Sequence, residues 1–394
     1  MAHVRQKLSS DHVANVRQDV RQKLEGFGLR QQVQRGQRIA ITAGSRGIGG
    51  LAELLAGISD AVKSCGGEPF VVPAMGSHGG AQPEGQAEIL RRLGVDGTEI
   101  RATMETRELG AAENGAIAHV DRLAAEADGI IVLGRTKTHP ESAGELASGL
   151  LKMCTIGLGK QIGAQEAHNH GLWESVRAVP KLQIPKSRML CGVAVVENGF
   201  RQPCAIEVVP ANYEAFLEAD MRLLRLAKTH LAQIPFDNLD LLIVDELGKT
   251  ISGAGMDPNV IQHKSKRIVV LSLTWPSLGN GLGIGVADFT TKRFADAYDP
   301  EVCYVNLLTA TEPGGNTREG PLPMAFASDR EAIEVGLYSS LAGAAPRVCR
   351  IKNTGLLDEV FASEALMPEI KRNAALENLS GFGPMEYDSA GNLF

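Results

Sequence analysis

The chain has 394 residues, 44% of them hydrophobic and 22% charged, which is long enough for two hydrophobic cores. Its 40 basic and 46 acidic residues leave a net charge of −6, and without a run of Lys or Arg this balance argues against nucleic acid as a partner. The six cysteines, Cys65, Cys154, Cys191, Cys204, Cys303 and Cys349, include no CxxC pair, which argues against both a disulfide framework and a cysteine-rich metal site.

The first 28 residues are polar, with no apolar core of signal-peptide length, and no apolar run of about 18 residues follows. The expectation is a cytoplasmic protein that does not span a membrane. QRIAITAG (37–44) reads as a strand, Ile48 to Cys65 as a helix ending at Gly66-Gly67, EPFVVPAMG (68–76) as a second strand, and Pro83 to Leu93 as a second helix stopped by Gly94. ADGIIVLGR (127–135) lacks polar alternation, so it is expected to be a strand buried on both faces. A further apolar segment, 189–198, precedes a long helical stretch from Tyr213 to Ala232. After Pro235 the strand rhythm restarts with DLLIVDELGK (240–249) and RIVVLSLTW (267–275). The segment 278–294 is glycine-rich and then helical in pattern, and 355–373 is a candidate return to the first domain.

Alternating strands and helices predict an α/β protein of two α/β domains, with a cofactor and substrate cleft between them. The expected limits are 1–235 for a cofactor-binding domain, with 372–394 as its candidate completion, and 236–371 for the second domain.

Three polar, glycine-flanked segments follow the expected strands of the first half. GSHGG (76–80) sets His78 among small residues that let a ligand approach the backbone. In RTKTHPE (135–141), Pro140 holds His139 extended. Together with Ser45 and Arg46 these residues sit at carboxyl strand ends, where open α/β sheets bind ligands. Lys152 is a lone cation within SGLLKMCTIGLG (148–159). Apolar surroundings lower a lysine's pKa and free its amine for covalent chemistry, and the competing reading is a snorkelling surface lysine. GLGKQIG (157–163) lacks the spacing and the GK[ST] ending of a phosphate loop and reads as a flexible segment facing a ligand. His168 and His170 in QEAHNHG offer an imidazole to a metal, without the HExxH spacing of a zinc site. His3, His12, His119 and His230 read as ordinary exposed or hydrogen-bonded histidines.

The order of these residues resembles the nickel-pincer-nucleotide-dependent lactate racemases across most of the chain: an arginine after a strand, a GSHGG histidine, a second histidine, a glycine-flanked lysine and a further histidine. In that family a pyridinium-3,5-bisthiocarboxylic acid mononucleotide holds nickel, is linked to a lysine through a thioamide, and receives a histidine as nickel ligand. The resemblance implies that Lys152 carries the cofactor, that His168 (or His170) binds nickel, and that His78 and His139 are the acid–base pair. Ser45 and Arg46 would contact cofactor or substrate, although Arg46 stands in GSRG where lactate racemases have an acidic residue, Thr-Arg and a proline. GMDPNVIQ (255–262) resembles a segment on the substrate side, implying Gln262 near the substrate with Lys249 or Lys264 as a charge partner. The implied activity is racemisation or epimerisation of a 2-hydroxy acid by reversible hydride transfer, with the cofactor-biosynthesis proteins as partners. The alternatives are a metal-dependent lyase or hydrolase on the same scaffold and a non-catalytic carrier of the pincer cofactor.

Overall fold

The computed structural model describes the chain except for residues 46–47, 140–143, 312–314, 316, 342 and 394. Two compact units are present, one formed by 11–230 with 304–316 and the other by 1–10, 231–303 and 317–394. The chain starts in the latter with β1 (Ala2–Gln6) and then enters the former.

The unit containing 11–230 holds β2 (Arg38–Ala43), β3 (Glu68–Pro73), β4 (Thr106–Ala111), β5 (Ile117–Asp121), β6 (Gly129–Arg135), β7 (Met189–Glu197) and β8 (Pro203–Pro210). Five of these form a sheet in the order β3-β2-β6-β7-β8, parallel except for β8, while β4 and β5 make a separate antiparallel ribbon. β6 is buried from Gly129 through Gly134, as its unbroken apolar run requires of a strand covered on both faces. Its Ile130 and Val132 pack with Ala40, Phe70, Val72, Leu150 and Phe216 in one core. The helices Leu51–Ser64, Pro83–Arg92 and Tyr213–His230 fall where the periodicity places them. The ribbon is absent from the sequence expectation because β4 is mostly exposed and carries no apolar alternation. β2, β3, β6 and β7 run the same way, so Ser45, His78, Lys137 and Asn198 all follow carboxyl strand ends on one edge of the sheet.

The second unit adds β9 (Leu239–Leu247), β10 (Ser265–Leu273), β11 (Phe289–Thr291), β12 (Met324–Phe326), β13 (Val348–Asn353), β14 (Leu356–Ala362) and β15 (Leu376–Asn378). With β1 they form an eight-stranded sheet in the order β12-β11-β10-β9-β13-β14-β1-β15. Pairing is parallel from β12 to β13 and antiparallel beyond. Residues 372–394 lie in this unit and not with 11–230: β15 pairs with β1, and β1 pairs with β14. The polar-looking N-terminus hides a strand because AHVRQ alternates, with Ala2 and Val4 fully buried and Arg5 exposed. The stretch 355–373 likewise stays in this unit, as β14 followed by the helix Met367–Arg372. In 278–294 the pattern resolves into a short helical turn, β11, and the start of the helix Lys292–Ala297. Among the described residues no helix is long and apolar enough to cross a membrane.

Candidate functional site

In the unit containing 11–230, the carboxyl strand ends border a cavity of about 130 Å³ lined by Ser45, His78, Arg135, Lys137, Ser148 and Lys152, with apolar walls from Ile48, Met75, Met153 and Ile156. This volume suits a small acid and is well short of the several hundred Å³ typical of a drug-sized or cofactor ligand, so a nucleotide would extend beyond it. Of the expected site residues, Ser45, His78 and Lys152 meet here, while His139 and His168 do not line the cavity. Arg46 lies outside the described residues.

His78 is held from both its ring and its backbone. Its Nδ1 shares a hydrogen bond with Ser45 Oγ, which orients the ring. The loop beneath it is tied to the helix Pro83–Arg92: buried Gln86 donates from Nε2 to the carbonyls of Gly76 at 2.8 Å and His78 at 3.1 Å. Gly79 adopts φ +67°, and a Cβ there would come within 2.6 Å of the Gly85 backbone, so only glycine permits this approach. Asn306 adds a hydrogen bond from Nδ2 to Ser77 Oγ at 3.0 Å.

Gln86 is in turn held by Lys160, which is fully buried and donates from Nζ to Gln86 Oε1 at 3.0 Å and to the Pro73 carbonyl at 2.7 Å. Its counter-ion is fully buried Asp121, at 3.2 Å. Burial pushes the Asp121 carboxyl up and the Lys160 ammonium down, each opposed by the charge of the other. Within GLGKQIG, Gly157 lines the cavity, but Lys160 does not face a ligand. It anchors the fold beneath the His78 loop and holds a left-handed φ of +56°, unusual for a residue other than glycine.

Lys152 sits on a turn fixed from below. Leu150 and Leu151 are fully buried, each worth about 2 kcal/mol of hydrophobic stabilisation, and their N–H groups donate to the two carboxylate oxygens of Asp220 at 2.8 and 2.9 Å. A Cβ on Gly149 would come within 2.2 Å of that carboxylate, which explains the glycine before the turn. A π-helical turn follows at Met153–Leu158, a widening often found at functional sites. Lys152 is half-buried, and its Nζ lies 5.3 Å from the centre of the Trp173 ring, whose centre is in turn 5.1 Å from that of the His139 ring in a T-shaped arrangement. Trp173 thus brings His139 and Lys152 to one aromatic side chain.

Burial pushes the Asp220 carboxyl up from 3.8 to about 7 against the pull of its two backbone bonds. The folded protein therefore holds this proton between about pH 4 and 7 where the unfolded chain has released it, so the contribution of this group to stability falls as pH rises through that window. Asp220→Asn is expected to be less stable than the native protein at pH 5, through loss of one acceptor, with the gap narrowing by pH 8. Thermal melts at the two values check this, and a gap independent of pH would overturn it.

His168, near the end of the helix Lys160–Asn169, shares a 2.7 Å hydrogen bond between Nδ1 and the Ala164 carbonyl. Donation from Nδ1 places the lone pair on Nε2, the arrangement typical of a metal-ligating histidine. His170 makes the same kind of bond to the Glu166 carbonyl at 3.0 Å and is exposed. Among the described residues no group of three or more His, Cys, Asp or Glu side chains is placed to hold a metal. In the other unit, Lys249 follows the carboxyl end of β9, is buried, and donates from Nζ to the Gly253 carbonyl. Gln262 is an exposed C-cap of the short helix Pro258–Ile261. Lys264 pairs with Asp237 at 2.6 Å beside the amino ends of β9 and β10, the opposite end of those strands from Lys249.

Sequence reasoning did not single out Arg135 and Glu197. Each closes an apolar strand at its carboxyl end, and this position was the available signal. They form an ion pair through Arg135 Nη1 and Glu197 Oε2, with side chains 9% and 10% exposed, and Glu197 Oε1 accepts from the Gly49 N–H at 2.6 Å. Asp220 and Lys160 gave a weaker signal, because a lone charge within a helical pattern reads as solvated surface.

No family model matches the chain, and no curated protein matches it. Among solved structures, the chain is similar to a Thermotoga maritima protein at 13% identity and a TM-score of 0.51, over 82% of this chain and 89% of that one. It is also similar to the lactate racemase apoprotein of Thermoanaerobacterium thermosaccharolyticum at 12% identity and a TM-score of 0.49, over 87% of this chain and 92% of that one. The first of these likenesses shows a shared α/β fold and does not extend to activity.

Proposed function

We propose that this protein is a racemase or epimerase of a 2-hydroxy acid that works with a nickel-pincer nucleotide attached to Lys152. The observation that supports this reading is a cavity whose lining includes both Lys152 and the Ser45-bonded His78, from segments far apart in sequence. The donor types suit such a group: a lysine, Lys152, that shares its lining with the apolar Met153 and Ile156, and, off that lining, a histidine, His168, whose Nδ1 bond favours a lone pair on Nε2. When bound, the group would supply a hydride acceptor at carbon. His78 Nε2 takes the hydroxyl proton of the substrate and later returns it, with Ser45 keeping the ring aligned. His139, set against Trp173, is the second base, so that either enantiomer meets an imidazole. The cations Arg135 and Lys137 on the same lining attract the substrate carboxylate, and the apolar walls limit water around the reacting carbon.

The test is intact-protein mass and nickel content of protein co-produced with the enzymes that make the pincer nucleotide, comparing the native chain with Lys152→Ala. The expected result is an adduct with about one nickel per chain, lost in the variant, followed by exchange of the C2 hydrogen of a 2-hydroxy acid. A native protein with neither adduct nor nickel would overturn the reading in favour of a differently metallated lyase or hydrolase. An adduct without exchange on any 2-hydroxy acid would favour a carrier.

A further inference from the structure

Of the eleven buried polar atoms without a hydrogen-bond partner among the described residues, four belong to the end of β6 and the segment paired with it: Arg135 Nη2, Thr136 Oγ1, Thr138 Oγ1 and Ser148 Oγ. Lys137 and Ser148 are joined by a two-way backbone bridge, so residues 135–138 and Ser148 form one local structure. Two of these residues, Arg135 and Ser148, also line the cavity. A buried donor without an acceptor is unfavourable, and folded proteins rarely leave several together unless something else satisfies them.

The surroundings of Arg135 specify what that would be. Glu197 is engaged on both oxygens, by Arg135 Nη1 and by the Gly49 N–H, so it holds the guanidinium in place while leaving Nη2 unsatisfied. A guanidinium fixed in this way offers a directed N–H to an oxygen acceptor. Ser148 adds a neutral hydroxyl, and Lys137 and Lys152 add positive charge to the same lining.

We propose that Arg135 and Ser148 form an oxyanion subsite, in which Arg135 Nη2 and Ser148 Oγ donate to a carboxylate or phosphate oxygen and Glu197 is the positioning residue. The assignment rests on the proposed function only for the source of that oxygen, a substrate carboxylate or the phosphate of a nucleotide.

The test uses the full chain produced without the pincer pathway, titrated separately with glycolate and with inorganic phosphate by calorimetry. The native protein is expected to bind at least one of them saturably. Ser148→Ala is expected to weaken binding about 3- to 10-fold, and Arg135→Lys, which keeps the charge facing Glu197 but loses the fork, by about 10-fold or more. Melting temperatures verify folding. If Arg135→Lys does not fold, Ser148→Ala decides alone, since it leaves the Glu197 ion pair intact. Tighter binding of glycolate would assign the subsite to the substrate, and tighter binding of phosphate to a nucleotide. The proposal is overturned if neither anion saturates the native protein, or if the folded variants bind as the native chain does. Because no cofactor is needed, the absence of a nickel adduct and the absence of anion binding are separate failures.

Discussion

Lys160→Met is expected to destabilise the unit containing 11–230 by roughly 3–5 kcal/mol, the range for breaking a buried ion pair from one side. The methionine fills much of the same volume, so the loss is electrostatic: Asp121 would remain fully buried without its counter-ion, and the Pro73 carbonyl and Gln86 Oε1 would each lose a donor. The left-handed backbone at position 160 would persist without the contacts that hold it. Adding Asp121→Asn removes the stranded charge, so the double variant is expected to recover a substantial part of the loss. Urea denaturation of the three proteins measures this. A single variant within about 1 kcal/mol of native would show that the pair does not stabilise the fold in this way.

His78→Gln is expected to slow exchange of the substrate C2 hydrogen about 10²- to 10⁴-fold, the usual contribution of a positioned acid–base group. Glutamine retains hydrogen-bonding capacity toward Ser45 but cannot cycle a proton near neutral pH. Cofactor and nickel content should be unchanged, because the proposed attachment is at Lys152 and the proposed nickel ligand is His168. Deuterium incorporation measured on cofactor-loaded protein separates the two roles. An exchange rate within about tenfold of native would remove His78 from the proton-transfer step.

The scaffold was legible in the sequence wherever a segment had one strong pattern. GIIVLGR could only be a strand covered on both faces, and the ends of β2 and β3 pointed to Ser45 and His78. AHVRQ was not legible, because five residues with two small apolar side chains at the start of a polar segment become a strand only when β14 and β15 supply partners. The site was legible to the extent that it depends on glycine-flanked polar residues, as for His78 and Lys152. Lys160 was misread because a glycine-flanked lysine that binds a ligand and one buried against an aspartate 39 positions earlier are identical as local text. Arg135 and Asp220 were missed for the same reason. Their importance comes from Glu197 and from the N–H groups of Leu150 and Leu151, partners that only the folded chain brings near.

The wide turn at Met153–Leu158 makes the spacing between Lys152 and the anchor Lys160 a matter of phase. Such a turn is ordinary helix with one residue added: six residues at about 4.4 per turn sweep nearly the same angle as five at about 3.6 per turn. Removing one residue here would therefore leave Lys152 and Lys160 facing nearly as they do now, whereas removing two would turn one against the other by about 100°. A single deletion should be tolerated at this turn better than in the regular helices around it.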